Sequence, residues 1–128
     1  MDDERKKAEQ RIKREIKRLN KIFEIVDDNV RGTVDGLIKK AAFERVELEE
    51  LKTDILIYGW TEWFSQGDQE PYKRKRPEAD IYNTLSREYS KTVKQLSDLL
   101  PKSTAKAIVD DGFESFVDNR TIGGGRGD

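Results

Sequence analysis

Ile12, Ile16, Leu19, Phe23 and Val26 stand four, three, four and three residues apart. On a helix of 3.6 residues per turn this spacing forms one narrow apolar seam and leaves the rest of the circumference to charge. Two longer runs keep the helical interval. The first is Val34, Leu37, Ile38, Ala41, Ala42, Val46, Leu48, Leu51 and Ile55; the second is Tyr82, Leu85, Tyr89, Val93 and Leu96, with Leu99 and Leu100. Hydrophobic residues make up 34% of the 128 and charged residues 40%, against roughly 45–50% (with glycine) and about 25% in an average soluble domain. Such a chain lacks apolar surface for a thick core. It is either partly disordered or built from surface-rich helices whose seams are buried against other helices or other subunits. The length fits one domain and excludes a multi-domain enzyme.

The punctuation divides the chain into three parts. The first helix is predicted to end near Asp27-Asp28-Asn29, with Asp2, Asp3 and Glu4 at its positive end. Gly32 and Gly36 then bracket a turn or a weak helix start, with Thr33 or Asp35 available as N-cap. A second helix runs to about Ile57, where Tyr58-Gly59 breaks the pattern, and Glu47, Glu49, Glu50 and Asp54 on it face water or a basic neighbour. Residues 59–77 hold Gly59, Gly67, Pro71 and Pro77 among Trp60, Trp63, Phe64 and Tyr72. They read as a packed aromatic connector, a short hairpin or an ordered loop over the helix ends. Pro77 suits the first turn of a third helix, and Pro101 stops it. Helices two and three should pair as an antiparallel hairpin. The expected fold is all-α: a basic N-terminal helix over 1–30, a helical hairpin that forms the oligomerisation core over 31–101, and a flexible acidic tail over 102–128. The seams are long for one small chain. Part of each is therefore predicted to be buried between subunits of a head-to-tail ring, with Tyr82, Leu85, Tyr89 and Leu96 at the hairpin seam and subunit contact.

Cysteine and histidine are both absent. That removes disulfides, thiolate nucleophiles, cysteine zinc sites, imidazole bases and Ser-His pairs. The carboxylates show no dyad or metal spacing, so no catalytic site, cofactor or metal is expected, and the chain is not expected to be an enzyme. Gly123 to Gly127 follows no strand and lacks the Lys-Ser/Thr pair of a phosphate loop, and the final Arg126-Gly127-Asp128 matches an integrin tripeptide by chance. No run approaches the roughly 20 apolar residues of a membrane span, and the first residues contain no apolar leader segment. A soluble, intracellular protein with no membrane partner is expected.

Net charge is −1, but it is unevenly placed: +4 over residues 1–21, −7 over 22–70, +5 over 71–106 and −3 over 107–128. Alternating blocks suit separate surfaces for a polyanion, for self-association and for a basic partner, or simply solvated helix faces. Lys13, Arg14, Lys17, Arg18 and Lys21 on the first helix are the leading candidates for contact with nucleic-acid phosphates. Lys73, Arg74, Lys75 and Arg76, beside Tyr72, are a secondary candidate. In the tail, Ile108, Val109, Phe113, Phe116 and Val117 alternate with Asp110, Asp111, Glu114 and Asp118 behind the spacer 102–106. Such a block suits docking in a partner's groove through Ile108, Phe113, Phe116 and Val117, or folding back on the chain's own helices.

Glu49-Glu50-Leu51-Lys52-Thr53-Asp54-Ile55, the Trp63-Phe64-Ser65-Gln66-Gly67 loop, Ile81-Tyr82-Asn83-Thr84 and Val93-Lys94-Gln95-Leu96-Ser97-Asp98-Leu99-Leu100-Pro101 together resemble the small terminase subunits of tailed bacteriophages, more narrowly the P27-type group. The resemblance spans roughly residues 37–101, with a looser echo in Asp110 to Asn119. It implies a non-enzymatic, ring-forming homo-oligomer in the cytoplasm of a bacterial host. Such a protein binds viral double-stranded DNA and brings it to the large terminase subunit, which holds the ATPase and nuclease. It also implies self-association through the helical middle and partner contact through the C-terminal end. Many small terminase subunits carry an N-terminal helix-turn-helix, whereas residues 1–28 here read as one long helix. Without the resemblance, the residues also suit a structural or regulatory coiled-coil protein that never touches nucleic acid.

Overall fold

The computed structural model describes residues 2–101. It contains three α-helices, α1 (Asp3–Ile22), α2 (Arg31–Tyr58) and α3 (Pro77–Asp98), with a two-stranded antiparallel sheet between the second and third: β1 (Thr61–Phe64) and β2 (Tyr72–Lys75). The mainly helical expectation holds, and the connector adds the small sheet to it.

The Asp2 carboxylate accepts from the Arg5 amide at 2.9 Å and starts α1, while Asp3 and Glu4 in its first turn and Lys21 in its last complement the helix dipole. The helix stops at Ile22, before the predicted end near Asp27. Two 3₁₀ turns, Phe23–Ile25 and Asp28–Val30, carry the chain round the corner, which Arg31 closes by donating to the Phe23 carbonyl at 2.7 Å. Phe23 and Val26 are buried as the seam predicts, but from this corner instead of from α1.

Of the two alternatives at Gly32 and Gly36, the helix start holds and the turn is absent. Both residues lie inside α2, which starts at Arg31 straight from the second 3₁₀ turn, and neither Thr33 nor Asp35 caps it. A glycine in a helix interior costs about 1 kcal/mol relative to alanine. Complete burial of Val34, Ile38, Ala41 and Ala42 on the same helix outweighs that cost. At its other end α2 terminates on Gly59, whose φ of +83° only glycine adopts without strain and whose amide donates to the Ile55 carbonyl at 2.7 Å.

α2 and α3 run antiparallel: Asp54 near the end of α2 meets Arg76 beside the start of α3, and Lys40 further back meets Glu88 and Thr92. Their seam, closed by Leu19 and Phe23, is the core. Tyr89 and Leu96 are each only 1% exposed within the single chain, so they serve the hairpin seam and have no surface left for a second subunit. Tyr82 and Leu85 are half-buried against that core and keep an outward side. Among the described residues no helix is long and apolar enough to cross a membrane. The tail candidates Ile108, Phe113, Phe116 and Val117 lie outside the described residues.

Candidate nucleic-acid interface

The direction in which α1 packs determines which of its cations meet water. Ala8 and Leu19 are fully buried, and Ile12, Glu15 and Ile16 on the same side are half-buried against the rest of the chain. The opposite arc, roughly 120° wide at 100° per residue, carries Lys6, Lys7, Lys13, Arg14, Lys17 and Lys21, all exposed. Together they form a ridge about 22 Å long, at 1.5 Å per residue from Lys6 to Lys21. Among the described residues no carboxylate makes an ion pair with any of the six. Asp3 opens the arc, Glu9 stands on its margin and Glu24 lies just past its end. At that end a cleft is lined by Lys17, Asn20, Lys21, Glu24 and Arg31, so one carboxylate stands among its three cations, and Arg31 is already engaged by the Phe23 carbonyl and Asp35.

Arg18, predicted as part of this surface, belongs to the inner side. Its Nε and Nη2 donate to the two oxygens of Glu15 at 3.0 and 2.9 Å, and Arg45 of α2 stands 3.8 Å from the same carboxylate. Further along this inner side, Arg5 meets Glu47 at 2.7 Å, and Arg11 bridges Glu49 and Glu50. The acidic residues of α2 therefore face a basic neighbour, the second of the two alternatives their positions allowed. Beneath them burial holds the Tyr89 hydroxyl protonated well above its ordinary pKa of 10.0; the nearby Arg45 and Arg18 oppose the shift and Glu15 adds to it.

The Lys73–Arg76 run is spent on the fold. Arg74 pairs with Glu62 across the two strands at 2.9 Å, its guanidinium 3.5 Å from the centre of the Phe64 ring. Lys75 pairs with Asp80 at 2.8 Å. Arg76 is buried; it donates to the Gly59 carbonyl and to Asp54, each at 2.7 Å, and the Asp54 hydrogen bond raises its already high pKa. Lys73 alone has no acidic partner among the described residues, and its ammonium lies 5.7 Å over the Trp63 ring. Within the chain the run staples the hairpin, and three of its four cations are already ion-paired.

Lys6 and Lys7 are the ridge residues that the sequence reading missed. The signal was present: Lys7, Arg14 and Lys21 recur every seven residues, and Lys6, Lys13 and Lys17 follow at helical intervals. What hid it was the packing direction, set at this end by Ala8, a residue too small to register in the apolar seam. No family profile, curated protein or solved structure matches this chain.

Proposed function

We propose that this chain is a DNA-binding subunit of viral genome packaging, of the small-terminase kind. In this reading the outer face of α1 holds duplex DNA by its phosphates, the α2–α3 pair supports that helix in a ring of like subunits, and the assembly delivers DNA to a large terminase subunit in the bacterial host cytoplasm. The observation that carries the reading is the ridge of six solvent-facing cations along α1, without acidic partners among the described residues. Phosphate neutralisation by such a ridge releases counterions and needs no base contact. The packaging context comes from the likeness of residues 37–101 to small terminase subunits.

The test is binding to a short duplex across a salt series. Six phosphate contacts give a slope of log affinity on log salt of about −5 per subunit. A protein that shows no binding at low salt is a structural or regulatory helical protein, and the proposal fails.

A further inference from the structure

The chain leaves the described residues beside the α1 ridge. α2 and α3 are antiparallel, with Asp54 against Arg76 and Lys40 against Thr92, so Pro101, beyond the end of α3, comes out next to the start of α2. That start is the corner. Arg31 donates to the Phe23 carbonyl there and shares a cleft with Lys17 and Lys21, the last two cations of the ridge. Leu100, one residue before the exit, is buried in the core cluster that also holds Leu19 and Phe23. The eight residues between Pro101 and Asp110 extend to roughly 28 Å. A helix is about 10–12 Å across, so the first acid of the tail reaches the outer face of α1 with slack.

Charge follows a matching order along the two pieces. From the corner back toward the N-terminus come the exposed acids Asp28, Asp27 and Glu24, then the six cations of the ridge, then Glu4 and Asp3. From Pro101 onward the sequence gives Lys102 and Lys106, then Asp110, Asp111, Glu114 and Asp118 with no cation among them, then Arg120. Laid antiparallel to α1, the tail sets cations against the acidic corner, acids against the ridge and Arg120 toward Asp3 and Glu4. The lengths agree: from Asp110 to Asp118 the extended chain covers roughly 28 Å, and the ridge is about 22 Å long. Ile25 at the corner is 56% exposed and offers an apolar contact to Ile108 and Val109, which precede the acids.

Other surfaces of the chain suit this block less well. The groove between α2 and α3 is apolar but bordered by Glu47, Asp80 and Glu88, which repel acids. The hairpin end has exposed Trp63 and Tyr72, but its cations without acidic partners among the described residues are two, Lys52 and Lys73, and Asp68 and Glu70 stand exposed nearby. It also lies the length of α3 away, about 33 Å. Phe113 arrives there only with residues 102–113 drawn to about four-fifths of their limit, and Asp110 only at full stretch. A tether this short holds the block near its own ridge at an effective concentration in the millimolar range, above that of other copies in micromolar solution. We infer that residues 108–118 lie along the α1 ridge of their own chain, antiparallel to the helix, and that duplex DNA has to displace them. Of the two roles the sequence allows the tail, this is the fold back onto the chain's own helices. The contact needs no DNA; the competition rests on the α1–DNA reading above.

The contact is tested on the full chain without DNA, by carbodiimide cross-linking, which joins a carboxylate directly to a lysine it touches. Peptide mass spectrometry should find Asp110, Asp111 or Glu114 joined to Lys13, Lys17 or Lys21 at low salt, and the yield should fall as salt screens the charges. A mixture of isotopically heavy and light chains should show both partners in the same chain. The inference is overturned if the acids join Lys52 or Lys73 instead, if the ridge bonds form only between heavy and light copies, or if no bond to the ridge forms. The competition is tested with Asp110→Asn/Asp111→Asn/Glu114→Gln/Asp118→Asn, which removes the four charges and leaves α1 untouched. A tail that covers the ridge nine-tenths of the time lowers apparent affinity tenfold. The variant should therefore bind a short duplex about tenfold more tightly than the parent at low salt, with the gap closing at high salt. Equal affinities at low salt overturn the competition. If neither chain binds the duplex, the α1–DNA reading fails and the competition with it, while the cross-links still decide where the tail lies.

Discussion

Two stretches of this chain are basic to a similar degree, and they end in opposite electrostatic states. On α1, six cations point away from the packed face and have no acidic partners among the described residues; at Lys73–Arg76, three of four are taken up by Glu62, Asp80, Asp54 and Glu78. The difference comes from what stands opposite each stretch. α1 has water on its outer arc, whereas β2 lies between β1 and the helix ends that supply carboxylates. Free charge is a property of packing, and a count of lysines and arginines in a sequence does not report it.

The largest effect expected from breaking this contrast is at the ridge. Reversing Lys13, Arg14, Lys17 and Lys21 to Glu should lower duplex affinity by at least about 100-fold at low salt and flatten the salt slope by roughly 3 to 4. Thermal stability should fall only slightly, since none of the four makes an ion pair among the described residues and only Lys21 also complements the helix dipole, worth about 0.3–1 kcal/mol. Filter binding and a melting curve measured together check both halves. The reverse pattern is expected at the hairpin. Arg76→Ala leaves Asp54 and the Gly59 carbonyl without their shared donor, so the melting temperature should fall by several degrees while duplex affinity stays within about twofold of the parent. A loss of DNA affinity as large as that of the ridge variant would mean that the tetrabasic run is a phosphate surface after all.

The smallest effect concerns the inner side of α1. Burial raises the Tyr89 pKa above 10.0, so the folded state keeps a proton that the unfolded chain loses. Stability from this source is intact below pH 10 and declines as pH rises through that value, because the unfolded state then binds fewer protons than the folded one. Lys40, whose pKa is raised by its hydrogen bond to Glu44, declines in the same range and in the same direction. Tyr89→Phe should therefore remove part of the alkaline loss of stability and leave the rest, as read by urea denaturation at pH 8 and pH 10.5.

Much of the fold was legible because apolar spacing reports the period of a helix directly. Ile38, Ala41 and Leu48 on α2 and Tyr89, Val93 and Leu96 on α3 are where their intervals put them. The α2 start stayed open between a turn and a helix start because glycine weakens a helix by an amount that local reasoning can see, while the burial that compensates for it is tertiary. Nothing crowds the Cβ position at Gly32 or Gly36, so neither glycine marks a turn or a close approach. The site was half legible. Lys13, Arg14, Lys17 and Lys21 follow from the stripe, but Arg18 lies one residue from Lys17 and faces Glu15 and Arg45, a distinction that requires knowing where α2 lies.

α1 is also held unequally along its length. Near its C-terminal end Leu19 and the adjoining Phe23 are sunk completely in the core, whereas in its first half only Ala8 is buried and the attachment is through Arg5 and Arg11 to carboxylates of α2. Opening therefore costs least at the N-terminus and rises toward the corner, so backbone amides should exchange with solvent on a gradient along the helix. The ridge has a fixed root and a free-running tip. A polyanion lying along all six cations would tie down the tip, and the gain in exchange protection would be greatest around Lys6 and Lys7, the residues farthest from the core that anchors the helix.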